Sequence, residues 1–222
     1  MAWKQTLKEL WQKEKGYWLA AVVLGVLLSL LFAAHWTEGY ADMIQKGIGG
    51  KVVRFHVLAN SDSEADQALK LAVRDRVLQE YGDLLETCTS KEETLAALKN
   101  AQQEISETAE AEVLAQGYTY PVRVSLVREE FPFKKYGDLI FPAGVYDALR
   151  IEIGEAKGKN WWCVLYPQMC YVDAAWGYST EESHVRLQNT LTKEEFLVVS
   201  AMEQKKVTPK IKCRLVELWS ER

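Results

Sequence analysis

The residue types most able to do chemistry gather in Asn160–Cys170, NWWCVLYPQMC, where two thiols flank a proline and two tryptophans precede them. A cysteine attacks only as its thiolate, so it needs a base within hydrogen-bond reach and a group that lowers its pKa. Beyond the hydrophobic N-terminal segment the histidines are His56 and His184, and neither lies in a nucleophile signature. Zinc would need paired Cys or His ligands, whereas Cys163 and Cys170 have no second pair and the two histidines stand apart. Asp62 and Asp66 read as first-turn carboxylates that complement a helix dipole. No G-x-G-x-x-G or P-loop pattern occurs, and Gly47-Ile48-Gly49-Gly50 precedes a strand, which is the wrong order for a phosphate cradle. These residues point to no metal, no cofactor and no small-molecule substrate.

The same two thiols can instead pair. Pro167 forbids a continuous helix, and a tight turn around Tyr166-Pro167 would bring Cys163 opposite Cys170 at the spacing a disulfide requires. Closing so short a loop would add roughly 2.5 kcal/mol. Cys88 and Cys213 complete an even count, which fits disulfides in an exported chain and leaves the state of these two open. Trp161 and Trp162 read either as an interface anchor or as adjacent strand residues of which only one faces the core. A thiol hydrolase acting on peptidoglycan or peptide stays as the alternative, with Cys163 as nucleophile and His56 or His184 as base.

The elements that must position these groups follow from periodicity. Lys51 to Leu58 alternates as a strand, with Val53, Phe55 and Val57 on one face and Arg54 and His56 on the other. Ser61 and Glu64 form a capping box, and Leu69, Val73, Val77 and Tyr81 recur at i+4, which predicts an amphipathic helix over about 64–86. Ser90 and Glu93 cap a second long helix marked by Leu95, Leu98, Ile105, Ala109 and Val113 and closed by Gly117; Glu104, Glu107, Glu110 and Glu112 give it a solvated acidic face. Strands are expected at 119–127, 136–141, 146–153 and 161–165, an irregular stretch at 174–190, a short helix from Thr192 to Met202, and a closing strand at 212–219. This order predicts an α+β fold, two long helices packed on a mostly antiparallel sheet.

Ahead of that body, Tyr17–Ala34 is an uncharged apolar run, flanked on its N-terminal side by Lys4, Lys8, Lys13 and Lys15 against Glu9 and Glu14. The positive-inside rule keeps such an N-terminus cytoplasmic and sends the rest across. Residues 1–41 are expected to act as signal peptide or membrane anchor, 42–50 as a flexible tether, and 51–222 as a single extracytoplasmic domain. A cleavage site after Ala41 has small residues where a signal peptidase needs them. Residues 1–41 hold four Lys and three Glu, so 23 basic and 28 acidic side chains follow, a net charge of −5. With no basic excess to neutralise phosphates, nucleic acid is not an expected partner.

Two segments together, Arg54-x-x-Val57-Leu58-Ala59-Asn60-Ser61-Asp62-Ser63 and Asn160–Leu165 with Pro167 and Cys170, resemble the stage II sporulation protein R family. Phe131-Pro132 to Tyr136-Gly137 and Phe141-Pro142-Ala143-Gly144-x-Tyr146 fit that family's middle section, so the resemblance spans about 51–173. Gln168 stands where a member of that family has a second proline, and Cys88 and Cys213 are additions. The resemblance implies a protein made in the forespore and secreted, or anchored facing the space between the forespore and mother-cell membranes. It further implies activation of a membrane-embedded aspartic protease, the sigma-E processing peptidase, with the catalytic aspartates in that partner and none here. Polar and aromatic groups that leave the core pattern then become the candidate recognition surface: Arg54, His56, Asn60, Asp62, Trp161 and Trp162.

Overall fold

A computed structural model describes residues 2–170 and 181–200 of this chain. The chain divides into two units, residues 1–45 and 46–222. The first lies within helix α1 (Ala2–Lys51), whose stretch Lys15–Lys51 is long and apolar enough to cross a membrane.

The second unit begins in the last turns of α1. Gly47–Gly50, read from the sequence as a flexible tether, are helical and take part in the body. Ile48 is fully buried, and Lys91 Nζ donates to the Gly49 carbonyl at 2.8 Å. Lys51 pairs with Glu195 at 2.6 Å, and a Cβ on Gly47 would run into the Glu195 carboxylate. Glycine is used here for close approach, with freedom of the chain a secondary matter.

Strand β1 (Val53–Leu58) follows and forms the inner part of a four-stranded sheet with β2 (Val122–Phe131), β5 (Gly144–Ile153) and β6 (Asn160–Tyr166), in the order β2-β5-β1-β6. β2 and β5 pair antiparallel, as do β1 and β6, while the central pair β1–β5 is parallel. Helices α2 (Glu64–Glu86), α3 (Lys91–Asn100) and α4 (Gln102–Ala115) lie against one face. There Val53, Phe55 and Val57 meet Leu69, Val73, Val77 and Tyr81 from α2 and Ile105, Ala109 and Val113 from α4.

Three local expectations are corrected. The N-cap of α2 is Ser63, whose hydroxyl accepts from Asp66 N at 3.1 Å, because Ser61 is drawn into a different contact. The second long helix is two, broken at Ala101, where ψ of 1° turns the chain while Leu98, Ala101 and Ile105 all stay in the core. No Pro or Gly marks that break. The stretch 136–141 is no single strand: β3 (Lys134–Tyr136) and β4 (Leu139–Phe141) form a separate hairpin, turned by Gly137 at φ 60° and Asp138. A hairpin turn with positive φ requires such residues.

Other signals hold. Gly117, at φ 84°, ends α4 with Tyr118 N bonded to Val113 O, a Schellman closure. Ser90 caps α3. Thr192 and Glu195 reciprocate as a full capping box on α6 (Lys193–Ser200). The irregular stretch expected at 174–190 is also corrected: Glu181–Thr190, which has no Pro or Gly and buries Leu187, forms helix α5. The strand expected at 212–219 lies outside the described residues.

Replacing Ile48 with Ala should lower stability by about 3 kcal/mol, the usual loss for a fully buried aliphatic side chain. Chemical denaturation of the full chain measures this; a midpoint equal to wild type would restore the tether reading.

Candidate recognition site

The residues singled out from the sequence fall in two places. Asn60 and Asp62 belong to a clasp between the β1–α2 turn and the β5–β6 turn. Asn60 Nδ2 donates to Asp66 Oδ2 at 2.9 Å, Ser61 donates its hydroxyl to the same oxygen, and Asn60 Oδ1 accepts from Glu155 N at 3.0 Å. Asp62 Oδ1 accepts from Lys159 N at 2.7 Å, and Gly158 N donates to Ala59 O at 2.9 Å. The hydroxyl of Ser61 and the amide of Asn60 hold the buried Asp66 carboxyl below its usual range. Gly154 takes φ 61°, and a Cβ there or on Gly158 would collide with Asn60 or the Ser61 carbonyl. Asn60 and Asp62 are therefore spent on joining two turns.

Arg54, His56 and Trp162 share the sheet face opposite the helices. Strand register sets Ser125, Arg150, His56 and Trp162 in one row across the four strands, and Val127, Ala148, Arg54 and Val164 in the next. Arg54 and His56, expected on an exposed surface, are 0% and 3% exposed. The cause is a cover that the sequence pattern did not announce. Phe131, Tyr136, Phe141 and Tyr146 surround the Arg54 guanidinium, with ring centroids 4.9–5.6 Å away. Arg54 Nε donates to Cys163 O at 3.2 Å and Nη2 to Tyr136 Oη at 2.8 Å. Burial pulls the guanidinium below its ordinary pKa, with Tyr136 and Tyr146 acting the other way.

His56 stacks on Trp162 at 4.9 Å and 14°, and Glu129 Oε1 lies 2.6 Å from its Nε2. Burial first, then the nearby Arg150 cation, bring the imidazole down to about 4, so the ring is neutral at pH 7. The Glu129 charge is met by Arg150, 3.2 Å from its other oxygen. Trp162 also takes the edge of Phe131 at 4.8 Å and carries Lys134 Nζ 5.3 Å from its ring. Phe133, next in the chain, is 51% exposed. Trp161 points to the other face, packs on the edge of Phe55 at 5.7 Å and is covered by Arg74 at 4.7 Å. The two tryptophans thus serve opposite faces of one strand, and Trp162 lies under the Lys134 cation, whose chain neighbour Phe133 is exposed.

Cys163 and Cys170 are joined as a disulfide with Cα atoms 5.5 Å apart, and the Tyr166–Pro167 bond is cis. Cys88 is a free thiol on the wall of a cleft of about 200 Å³ between the end of α2, Tyr166–Gln168 and α5. His184 lies 2.8 Å from Asp138 at the tip of the β3–β4 hairpin. Among the described residues no group of three His, Cys, Asp or Glu gathers as a metal ion would need. Sequence reasoning missed Phe131, Phe133, Lys134, Tyr136, Phe141, Tyr146, Glu129 and Arg150. The available signal was a charged residue in an otherwise apolar strand, together with the aromatic density of 131–146.

A family model described as stage II sporulation protein R matches residues 49–176. The chain is also similar to stage II sporulation protein R of Bacillus subtilis (strain 168), 32% identical over 184 residues, which cover 78% of this chain and 82% of that protein. No solved structure matches it significantly.

A buried histidine whose pKa is lowered takes its proton more readily in the unfolded chain, so stability is full above about 6.5 and falls as pH drops from there toward 4. His56→Phe, which keeps a ring on Trp162, should flatten that part of the curve. Denaturation midpoints of both proteins from pH 7.5 to pH 4, taken at about half-unit steps, check it; parallel curves would refute the assignment to His56.

Proposed function

This chain belongs to the stage II sporulation protein R family, and from that premise we propose that it is an exported signal of sporulation that activates the membrane-embedded sigma-E processing aspartic protease. In this reading the α1 segment carries the body across the forespore membrane, as signal peptide or anchor, into the space facing the mother cell. The body then works by surface complementarity, and the catalytic aspartates that cut pro-sigma-E belong to the protease. The N-terminal run, basic on its inner flank and apolar through Tyr17–Ala34, supports that direction of export.

The observation that carries the recognition half is the edge formed by Trp162, Phe133 and Lys134. Trp162 is half-buried and fixed by stacking, Lys134 stands over it, and Phe133, the residue before Lys134, is exposed. A rigid aromatic under a cation, with an exposed aromatic adjacent to that cation in the chain, is of the composition that dominates binding hot spots, because such groups bring area at little entropic cost. The occupant is an extracytoplasmic segment of the protease carrying an apolar side chain next to a carboxylate, the chemistry complementary to Phe133 and Lys134.

The rival reading, a thiol hydrolase, needs a free Cys163. Its sulfur is bonded to Cys170, His56 lies on the opposite sheet face, and His184 is engaged with Asp138.

Two measurements test these statements. In cells carrying the protease and pro-sigma-E, this chain should raise cleavage, and Trp162→Ala should abolish the rise while the protein stays folded by thermal melting. Undiminished cleavage with a folded variant would remove Trp162 from the recognition edge. Iodoacetamide followed by peptide mapping should leave Cys163 unlabelled until a reductant is added, whatever happens at the free Cys88; label on Cys163 itself in native, unreduced protein would return the hydrolase to consideration.

A further inference from the structure

The β3–β4 hairpin is a two-stranded sheet of its own, with no backbone pairing to the four strands of the main sheet. An isolated hairpin is marginal in water and needs tertiary anchors. β4 has them: Leu139, Ile140 and Phe141 are all buried. β3 is the outer strand, half exposed, with Lys135 in solvent. Its inward-facing group is Tyr136, whose ring meets Phe141 edge-on at 5.9 Å and whose hydroxyl accepts from Arg54 Nη2 at 2.8 Å.

Arg54 stands on the central strand β1, is wholly buried, and has no carboxylate partner among the described residues. Its Nη1 has no hydrogen-bond partner at all. Removing a cation from water without a counter-ion is expensive, and ring faces return only part of that loss. A methionine or leucine would fill the same aromatic box more cheaply. What neither could do is reach from β1 to the outer hairpin strand and donate there while also bonding the Cys163 carbonyl on β6. A lysine carries the charge but lacks the planar fork that serves both acceptors at once.

We infer that Arg54 is a positioning residue for recognition: it holds β3 to the sheet through Tyr136, so that Lys134 stands over Trp162, with the exposed Phe133 next to it in the chain, before any partner arrives. This rests on the activator reading, and on the recognition edge proposed with it. Lys134 precedes Tyr136 by two residues and places its ammonium over Trp162, so a β3 strand that lifts takes Lys134 and Phe133 away together. The second anchor of the hairpin, Asp138 against His184, holds the turn and not the outer strand.

The test uses the full chain in detergent and two variants. Tyr136→Phe removes one hydroxyl and leaves every ring in place, and Arg54→Lys keeps the charge. Amide exchange at 133–136 should quicken about tenfold in both, the factor a lost charged hydrogen bond supplies to a local opening equilibrium. Tryptic cleavage after Lys134 and Lys135 should quicken in step, while the melting temperature of Tyr136→Phe stays near wild type. In the cleavage assay with titrated expression, both variants should need more protein for half-maximal processing of pro-sigma-E and reach the same plateau. A general loss of fold would lower that plateau instead. Unchanged exchange in Tyr136→Phe overturns the hold on β3. A loosened strand with an unshifted half-maximal level overturns its role in recognition. If wild type itself raises no cleavage, the activator reading fails first, and the exchange data still decide whether Arg54 holds the hairpin.

Discussion

A guanidinium buried at the centre of the sheet, among four aromatic rings and with no carboxylate partner among the described residues, sets what the rest of that face can be. β1 carries apolar groups toward the helices and Arg54 and His56 the other way, so both of its faces need a cover. The helices supply one. The other is assembled from the end of β2 (Phe131), the hairpin (Tyr136, Phe141) and the start of β5 (Tyr146), which converge on a single cation. Because cation–π attraction is weak per ring and strengthened by exclusion of water, it works here only as a closed box. Rigid aromatics at an edge are a consequence: Trp162 is fixed by His56 and Phe131 before it meets anything.

Two further ties keep that sheet in register with its surroundings. The Asn60–Ser61–Asp62 turn and Asp66 bind the β5–β6 turn through backbone amides of Glu155 and Lys159, with Gly154 and Gly158 giving room for the approach. A polar loop packed so closely must have its donors and acceptors matched, which accounts for the density of small polar residues there. At the other end of β1, Ile48, the Gly49 carbonyl and Lys51 seat the last turns of α1 against Lys91 and Glu195. The strand that carries the buried arginine is thus secured on both sides of its length.

How far the sequence could be read depended on the range of the interaction involved. Helix α2 was legible in its extent, since its i+4 stripe is local, although the capping serine was Ser63 and not Ser61. The cap at Thr192 and the closure at Gly117 were legible for the same reason. The break at Ala101 was not, because no breaker residue marks it and only the core contacts of Leu98 and Ile105 favour it. Asn60 and Asp62 were noticed as polar residues outside the core pattern, yet their partners lie more than ninety positions away, so their use as a clasp could not be seen in one dimension.

The sequence by itself determined the apolar N-terminal helix, the α+β class, the family and the alternation that splits Trp161 from Trp162, all of which depend on composition, short periodicity or ordered motifs. Only the tertiary structure decided that Arg54 and His56 are inside, that Gly47–Gly50 are helical, and that a separate hairpin covers the sheet. The physical reason is that the desolvation of a charge is set by everything packed around it. The four rings that enclose Arg54 come from positions spread over 131–146, far along the chain from the residue they bury.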